Sequence, residues 1–261
     1  MPKFAANLTT LFTELPLEDR FAASREAGFA AVEFLFPYPY DLRTIARALA
    51  TNKLEMVLFD LPPGDWERGD RGIASDPRRV EEFRAGVDEA VRWARGLGVR
   101  RLNCLAGKRI PELPEEVQWG TLLSNIRYAA EELARHGLRL TIEPLNSYDV
   151  PGFLLTSSAI TLRLLDEAGS PNAFLQYDVY HMQRMEGELT TTLRRNLPRI
   201  GHIQIADNPG RHQPGTGEIN YRFLLAELDR LGYDGYVALE YIPVPDTPGS
   251  LRWLEEYGFK L

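Results

Sequence analysis

The sequence predicts an α/β protein, a single (β/α)8 TIM barrel spanning residues 1–261. Three observations predict it. Short runs rich in β-branched and aromatic residues alternate along the chain with longer segments of helical period. Eight such runs in 261 residues give about 33 residues per unit, the average unit of a roughly 250-residue barrel. The runs are also nearly continuous apolar stretches, as strands of a helix-covered parallel sheet require. The competing doubly wound open sheet lacks a G-x-G-x-x-G after its first run. No linker, low-complexity tract or charge block divides the chain.

In order, strands are expected at residues 4–6, 31–36, 55–59, 100–104, 138–142, 173–177, 201–205 and 236–239. Between them, Val80, Phe83, Val87, Val91 and Ala94 form one apolar stripe on a helix ended by Gly96 and Gly98. Leu122, Ile126, Ala129 and Leu133 repeat the pattern up to Gly137. Thr156-Ser157-Ser158 supplies capping hydroxyls for a helix carrying Ile160, Leu164 and Leu165, which stops at Gly169. Asn220 caps another, with Phe223, Leu224 and Leu228 inward and Gly232 at its end.

Composition narrows the function. The chain carries 30 Lys+Arg against 37 Asp+Glu, a net charge of −7, which disfavours nucleic acid as the partner. No window approaches the roughly 18 apolar residues of a membrane helix. Asn7, Thr9, Thr10 and Glu14 interrupt any apolar signal core, so a cytoplasmic protein is expected. Cys104 is the sole cysteine, which excludes an intrachain disulfide and four-thiolate zinc. H-E-x-x-H, G-x-S-x-G and C-x-x-C are absent.

In such a barrel the chemistry sits where strands end. Glu143, Asp178 and Glu240 close the fifth, sixth and eighth runs and Gln204 lies in the seventh, at separations of 35, 26 and 36 residues. Each strand of that half of the barrel thus contributes one oxygen donor to the mouth. A lone carboxylate there is more often a helix cap, and a lone Gln a satisfied core amide; four in register weigh against that reading. Buried together unpaired, three carboxylates are costly, and a divalent cation removes the cost. An all-oxygen set points to Mg²⁺ or Mn²⁺ ahead of zinc. With no dinucleotide fingerprint, no nucleotide cofactor is expected.

The same residues carry a resemblance. IEPLN around Glu143, QYDVYHMQRMEGEL around Asp178, GHIQIADNPGRHQPGTGEINY around Gln204 and ALEY around Glu240 are similar to the hydroxypyruvate isomerase family. NLTTLFTELP, GFAAVEFLFPYPYD, LFDLPPGDWERGDRGIA and LNCLAGK extend the likeness over nearly the whole chain. That family belongs to the xylose isomerase-like TIM barrels, with sugar 3-epimerases and endonuclease IV as more distant relatives. The resemblance implies a metal site at Glu143, Asp178, Gln204 and Glu240, with Glu143 and Glu240 as the acid/base pair. It implies interconversion of hydroxypyruvate and tartronate semialdehyde through a metal-stabilised enediolate.

The remaining candidates surround that site. His181, three residues after Asp178, is placed to lean over the mouth, and the resemblance makes it a substrate-oxygen ligand. Arg211 is implied to face substrate oxygens, and Lys108 and Arg71 are further cations after the fourth and third strands. A hydroxy-keto acid substrate needs one of them for its carboxylate. Trp66 is either a lid or a buried loop anchor. The alternatives are a 2-oxo-tetronate isomerase, a ketose 3-epimerase, an apurinic-site endonuclease and a non-catalytic sugar-binding barrel. Gln204 where epimerases carry His argues against the second, and only four His in total against the third. Barrels of this superfamily are often dimers or tetramers, so a homo-oligomer is compatible with the sequence.

Overall fold

A computed structural model of the chain describes residues 2–261. Its strands are β1 (Lys3–Asn7), β2 (Ala31–Glu33), β3 (Glu55–Met56), β4 (Phe59–Asp60), β5 (Arg101–Cys104), β6 (Arg139–Ile142), β7 (Ala173–Asp178), β8 (Ile200–Ile205) and β9 (Tyr236–Leu239). All pair in parallel in the order β3-β2-β1-β9-β8-β7-β6-β5-β4. The two ends of that order, β3 and β4, are halves of one run. Val57 N donates to Val32 O at 2.9 Å, and Leu61 N to Asn103 O at 2.8 Å. The third strand therefore turns from β2 to β5 at Val57-Leu58 and joins the two edges of the sheet, which leaves no long open edge. One expected strand is thus two segments, and β2 is shorter than the expected 31–36 run.

The helices are α1 (Leu17–Glu26), α2 (Leu42–Asn52), α3 (Val80–Leu97), α4 (Glu115–Arg135), α5 (Ser158–Ala168), α6 (Val179–Met185), α7 (Leu189–Asn196), α8 (Tyr221–Arg230), α9 (Thr247–Ser250) and α10 (Arg252–Glu256). Phe83, Val87, Val91 and Ala94 are buried as the stripe requires. Only Gly98, with its left-handed backbone, ends α3; Gly96 lies inside it, and a Cβ there would stand 2.7 Å from Leu42 Cδ2. Gly96 thus lets α2 approach, at a cost in helix propensity. Ser157 and Asn220 cap α5 and α8 as expected, whereas Phe223 points outward and is 52% exposed. None of the described helices is long and apolar enough to cross a membrane.

The strands are buried on both faces, but their inner face is polar. In the register, Asn7 stands beside Glu33, Asp60 beside Asn103, Asn103 beside Thr141, Gln176 beside His202, and Asp178 beside Gln204. Side chains alternate with period two, so Glu143 and Glu240, two residues beyond Thr141 and Ala238, share that face. The opposite positions, among them Ala6, Val32, Leu102, Ile142, Leu175, Ile203 and Leu239, form the apolar layer under the helices.

The loop after β4 is pinned by Gly72, whose φ is +96° and whose Cβ would meet Leu105 O at 2.1 Å. Gly72→Ala should lower stability by roughly 1–3 kcal/mol through this backbone clash. A denaturant midpoint equal to that of the unaltered protein would show that the loop adapts without cost.

Candidate active site

The cavity at the C-terminal end of the strands encloses about 220 Å³ and is lined by Asp60, Arg71, Glu143, His181, Arg211 and Glu240 among others. Glu143 follows β6, and its Oε2 accepts from Asn103 Nδ2 at 3.0 Å and Gln176 Nε2 at 3.1 Å. Glu240 follows β9; its Oε2 faces Arg211 Nη2 at 2.6 Å and its Oε1 accepts from Asn7 Nδ2 at 3.1 Å. The expected pair thus lines one cavity from strands three places apart around the barrel.

Asp178 ends β7 where α6 begins without a loop. Its Oδ1 caps the helix by accepting from Tyr180 N at 2.8 Å, while its buried Oδ2 has no hydrogen-bond partner. One turn on, His181 brings Nε2 to 3.5 Å from that oxygen. Asn146 N donates to His181 Nδ1 at 3.1 Å, which places the imidazole hydrogen on Nε2. Ligand atoms of Glu143, Asp178 and His181 lie within 4.8 Å of one another.

Electrostatics bind these facts together. Burial pushes Glu240 up to about 8, assisted by Asp178 and Glu33 and opposed by Arg211. Glu143 is raised well above the usual carboxylate range by burial and by Glu240, Asp178 and Asp60. His181 is lowered to about 4 by burial, so its ring is neutral at pH 7. A clustered, desolvated set of carboxylates with an orphaned oxygen fits a hard divalent cation, whose charge would offset their repulsion. Arg211, 3.6 Å from Asp178 Oδ2 and stacked over Tyr180 at 5.1 Å, offsets part of it.

Two expected residues do not line this cavity. Gln204 lies beneath the cavity, its Nε2 donating to Glu33 Oε1 at 2.8 Å and its Oε1 accepting from Gln176 at 2.7 Å. One lone pair of Oε1 stays free for a ligand. Lys108, expected at the mouth, lines an adjoining cavity of about 330 Å³ with Arg71, Arg78, Arg79 and Arg109, and Nζ donates to Gly69 O at 2.9 Å. Its bond to that carbonyl, 39 residues earlier, turns it away from the carboxylates. Arg71 lines both cavities, stacked 3.8 Å from the Trp66 ring centroid and donating to the Trp66 and Asp70 carbonyls. Trp66 thus does the work of an anchor for Arg71 and of a wall of the cavity.

Asp60 was missed by sequence reasoning. It is buried at the end of β4 with neither oxygen hydrogen-bonded, and burial raises its proton affinity, with Glu240 and Glu33 adding to the effect. The rule that found Glu143, a carboxylate closing an apolar run, applies to the Leu-Phe-Asp of residues 58–60 as well.

Residues 21–257 match the family model described as xylose isomerase-like TIM barrel. Hydroxypyruvate isomerase of Escherichia coli is 49% identical over 98% of this chain and 100% of its own. The 2-oxo-tetronate isomerase of Pectobacterium atrosepticum is 41% identical over 98% of both. A Brucella melitensis crystal structure described as AP endonuclease, family 2, superposes with a TM-score of 0.96 at 42% identity, covering 98% of this chain and 99% of that one. The chain belongs to the hydroxypyruvate isomerase family of xylose isomerase-like TIM barrels and is an isomerase.

Proposed function

We propose that this isomerase interconverts hydroxypyruvate and tartronate semialdehyde, with a 2-oxo-tetronate as the alternative substrate. The observation that carries the reading is the pair Glu143 and Glu240, two buried carboxylates with raised proton affinity facing one small cavity. The named activities of the curated relatives support it. The reaction moves a carbonyl between neighbouring carbons. One carboxylate takes a proton from the hydroxymethyl carbon and electrons flow into the old carbonyl to give an enediolate; the hydroxyl proton passes to the former carbonyl oxygen, and the other carboxylate returns a proton to the former carbonyl carbon as the new carbonyl forms.

Lining the same cavity from different strands, Glu143 and Glu240 suit that exchange, and burial keeps either able to hold a proton near neutral pH. His181, neutral with hydrogen on Nε2, donates to a substrate oxygen as charge develops there. A divalent cation, Mg²⁺ or Mn²⁺, which Glu143, Asp178 and Glu240 would hold with Gln204 Oε1, supplies Lewis-acid stabilisation of that charge when bound. Arg211 is engaged by Glu240, so Arg71, which has no carboxylate partner among the described residues, is the cation proposed to meet the substrate carboxylate.

Initial rates on hydroxypyruvate, a 2-oxo-tetronate and a neutral ketohexose test the reading. A short 2-oxo acid should be turned over fastest, and faster turnover of the ketohexose would replace it by an epimerase. Arg71→Met should raise KM for the acid by about tenfold or more, the loss of a charge-assisted hydrogen bond of roughly 1.5–3 kcal/mol. An uncharged hydroxyketone should be little affected; equal losses on both would show that Arg71 does not read the carboxylate.

A further inference from the structure

Beneath the cavity, polar side chains of several strands join into one run of hydrogen bonds. Glu33 faces three partners: His202 Nε2 at 2.6 Å, Gln204 Nε2 at 2.8 Å and Asn7 Nδ2 at 3.0 Å. All four residues are fully buried. Carboxylate oxygens accept only, so each amide turns its nitrogen toward Glu33. That choice propagates upward along two branches.

On one branch, Asn7 Nδ2 is shared with Glu240 Oε1 at 3.1 Å, while its Oδ1 accepts from Thr9 N at 2.9 Å. On the other, Gln204 presents Oε1 to Gln176 Nε2 at 2.7 Å, and the same nitrogen donates to Glu143 Oε2 at 3.1 Å. Thr141 Oγ1 holds the far end of Gln176 by donating to its Oε1 at 3.0 Å. Both candidate acid/base carboxylates thus receive an N–H from amides joined through Glu33, a residue that does not line the cavity.

We infer that Glu33, anchored by His202, is a positioning residue for Glu143 and Glu240, fixing the directions of Asn7, Gln204 and Gln176. Its kinetic consequence rests on the isomerase reading above; its geometry does not. A Met at position 33 offers no oxygen, so Asn7 and Gln204 lose the acceptor they share, whereas a Gln could keep both on its Oε1 and donate to the other tautomer of His202.

The test compares Glu33→Met with His202→Gln, which keeps an N–H for Glu33. Supporting hydrogen bonds of this kind are worth about 10–100-fold in activity. Glu33→Met should lose that much in kcat with KM within about threefold, while His202→Gln keeps kcat within about threefold even at a similar loss of Tm. A crystal structure of Glu33→Met should show the Asn7–Glu240 or the Gln176–Glu143 contact broken. Unchanged kcat, both contacts intact, or kcat losses that simply follow Tm in both variants would overturn the inference. If the unaltered protein turns over no short 2-oxo acid, the isomerase reading alone fails, and the crystal structure decides for Glu33. Should Glu33→Met not fold, Gln176→Met removes one donor without touching a charge. It should show the same kcat loss at constant KM, and full activity in it would overturn the inference.

Discussion

Glu143→Gln and Glu240→Gln should each lose roughly 10²–10⁴-fold in kcat, the worth of a positioned acid or base. Gln keeps the length of Glu and one oxygen; at 143 its nitrogen can take the place of Oε1, while at 240 it displaces the contact with Asn7 or Arg211. What it cannot do is accept a proton from carbon. The two variants should fall together, because a carbonyl shift that removes a proton on one side and returns it on the other needs both groups in each cycle. Steady-state kinetics at saturating Mg²⁺ or Mn²⁺ measure the effect. Near-normal rates in both variants would remove the two-carboxylate mechanism.

Stripped of divalent cations, the protein should lose stability as pH rises from about 6.5 to 8. The folded-state value of Glu240 is raised from 4.5 to about 8 by burial, so across this range the folded protein holds a proton that the unfolded chain has released. Stability then falls with pH, by about 2 kcal/mol for one such group over that window, and Glu143 adds to it as its partner in a coupled pair. Below pH 6.5 the slope is opposed. His181 is depressed from 6.5 to about 4, so there the unfolded chain binds the extra proton and stability rises with pH. A cation that requires deprotonated carboxylates stabilises most at the upper end, by about 2.7 kcal/mol at a hundredfold excess over its Kd. Thermal melts in chelator and in Mn²⁺ at pH 6.5 and 8 check this. A Tm independent of pH in chelator, with equal gains from Mn²⁺ at both values, would contradict the electrostatic description of the site.

The residues that close strands were legible because position alone marks them. Glu143, Asp178 and Glu240 each follow an apolar run, and one βα unit separates each from the next candidate, so period and punctuation suffice. The support beneath them was not legible. Asn7, Glu33, Asn103 and Gln176 are isolated polar residues inside apolar runs, and their partners are distant in sequence. Asn7 and Glu240 are 233 residues apart and Glu33 and His202 169 apart, and only closure of the barrel joins them. The same closure explains the third strand, which must serve β2 with one half and β5 with the other and so divides at Val57-Leu58. Lys108 shows the opposite limit: chain order puts it after a strand, but its bond to Gly69 turns it into the neighbouring cavity. Phe223 is apolar and in helical phase, yet its turn of α8 faces solvent.

The most direct test of the central claim follows hydrogen itself. Hydroxypyruvate is incubated with the cation-loaded protein in D₂O, and the products are read by proton NMR. Two carboxylates exchanging protons with solvent predict tartronate semialdehyde carrying deuterium at the former carbonyl carbon, and recovered hydroxypyruvate carrying deuterium on its hydroxymethyl carbon. Both signals should disappear in Glu143→Gln and Glu240→Gln. Product that retains the original hydrogen with no solvent label, or hydroxypyruvate recovered unlabelled and unconverted, would contradict the account.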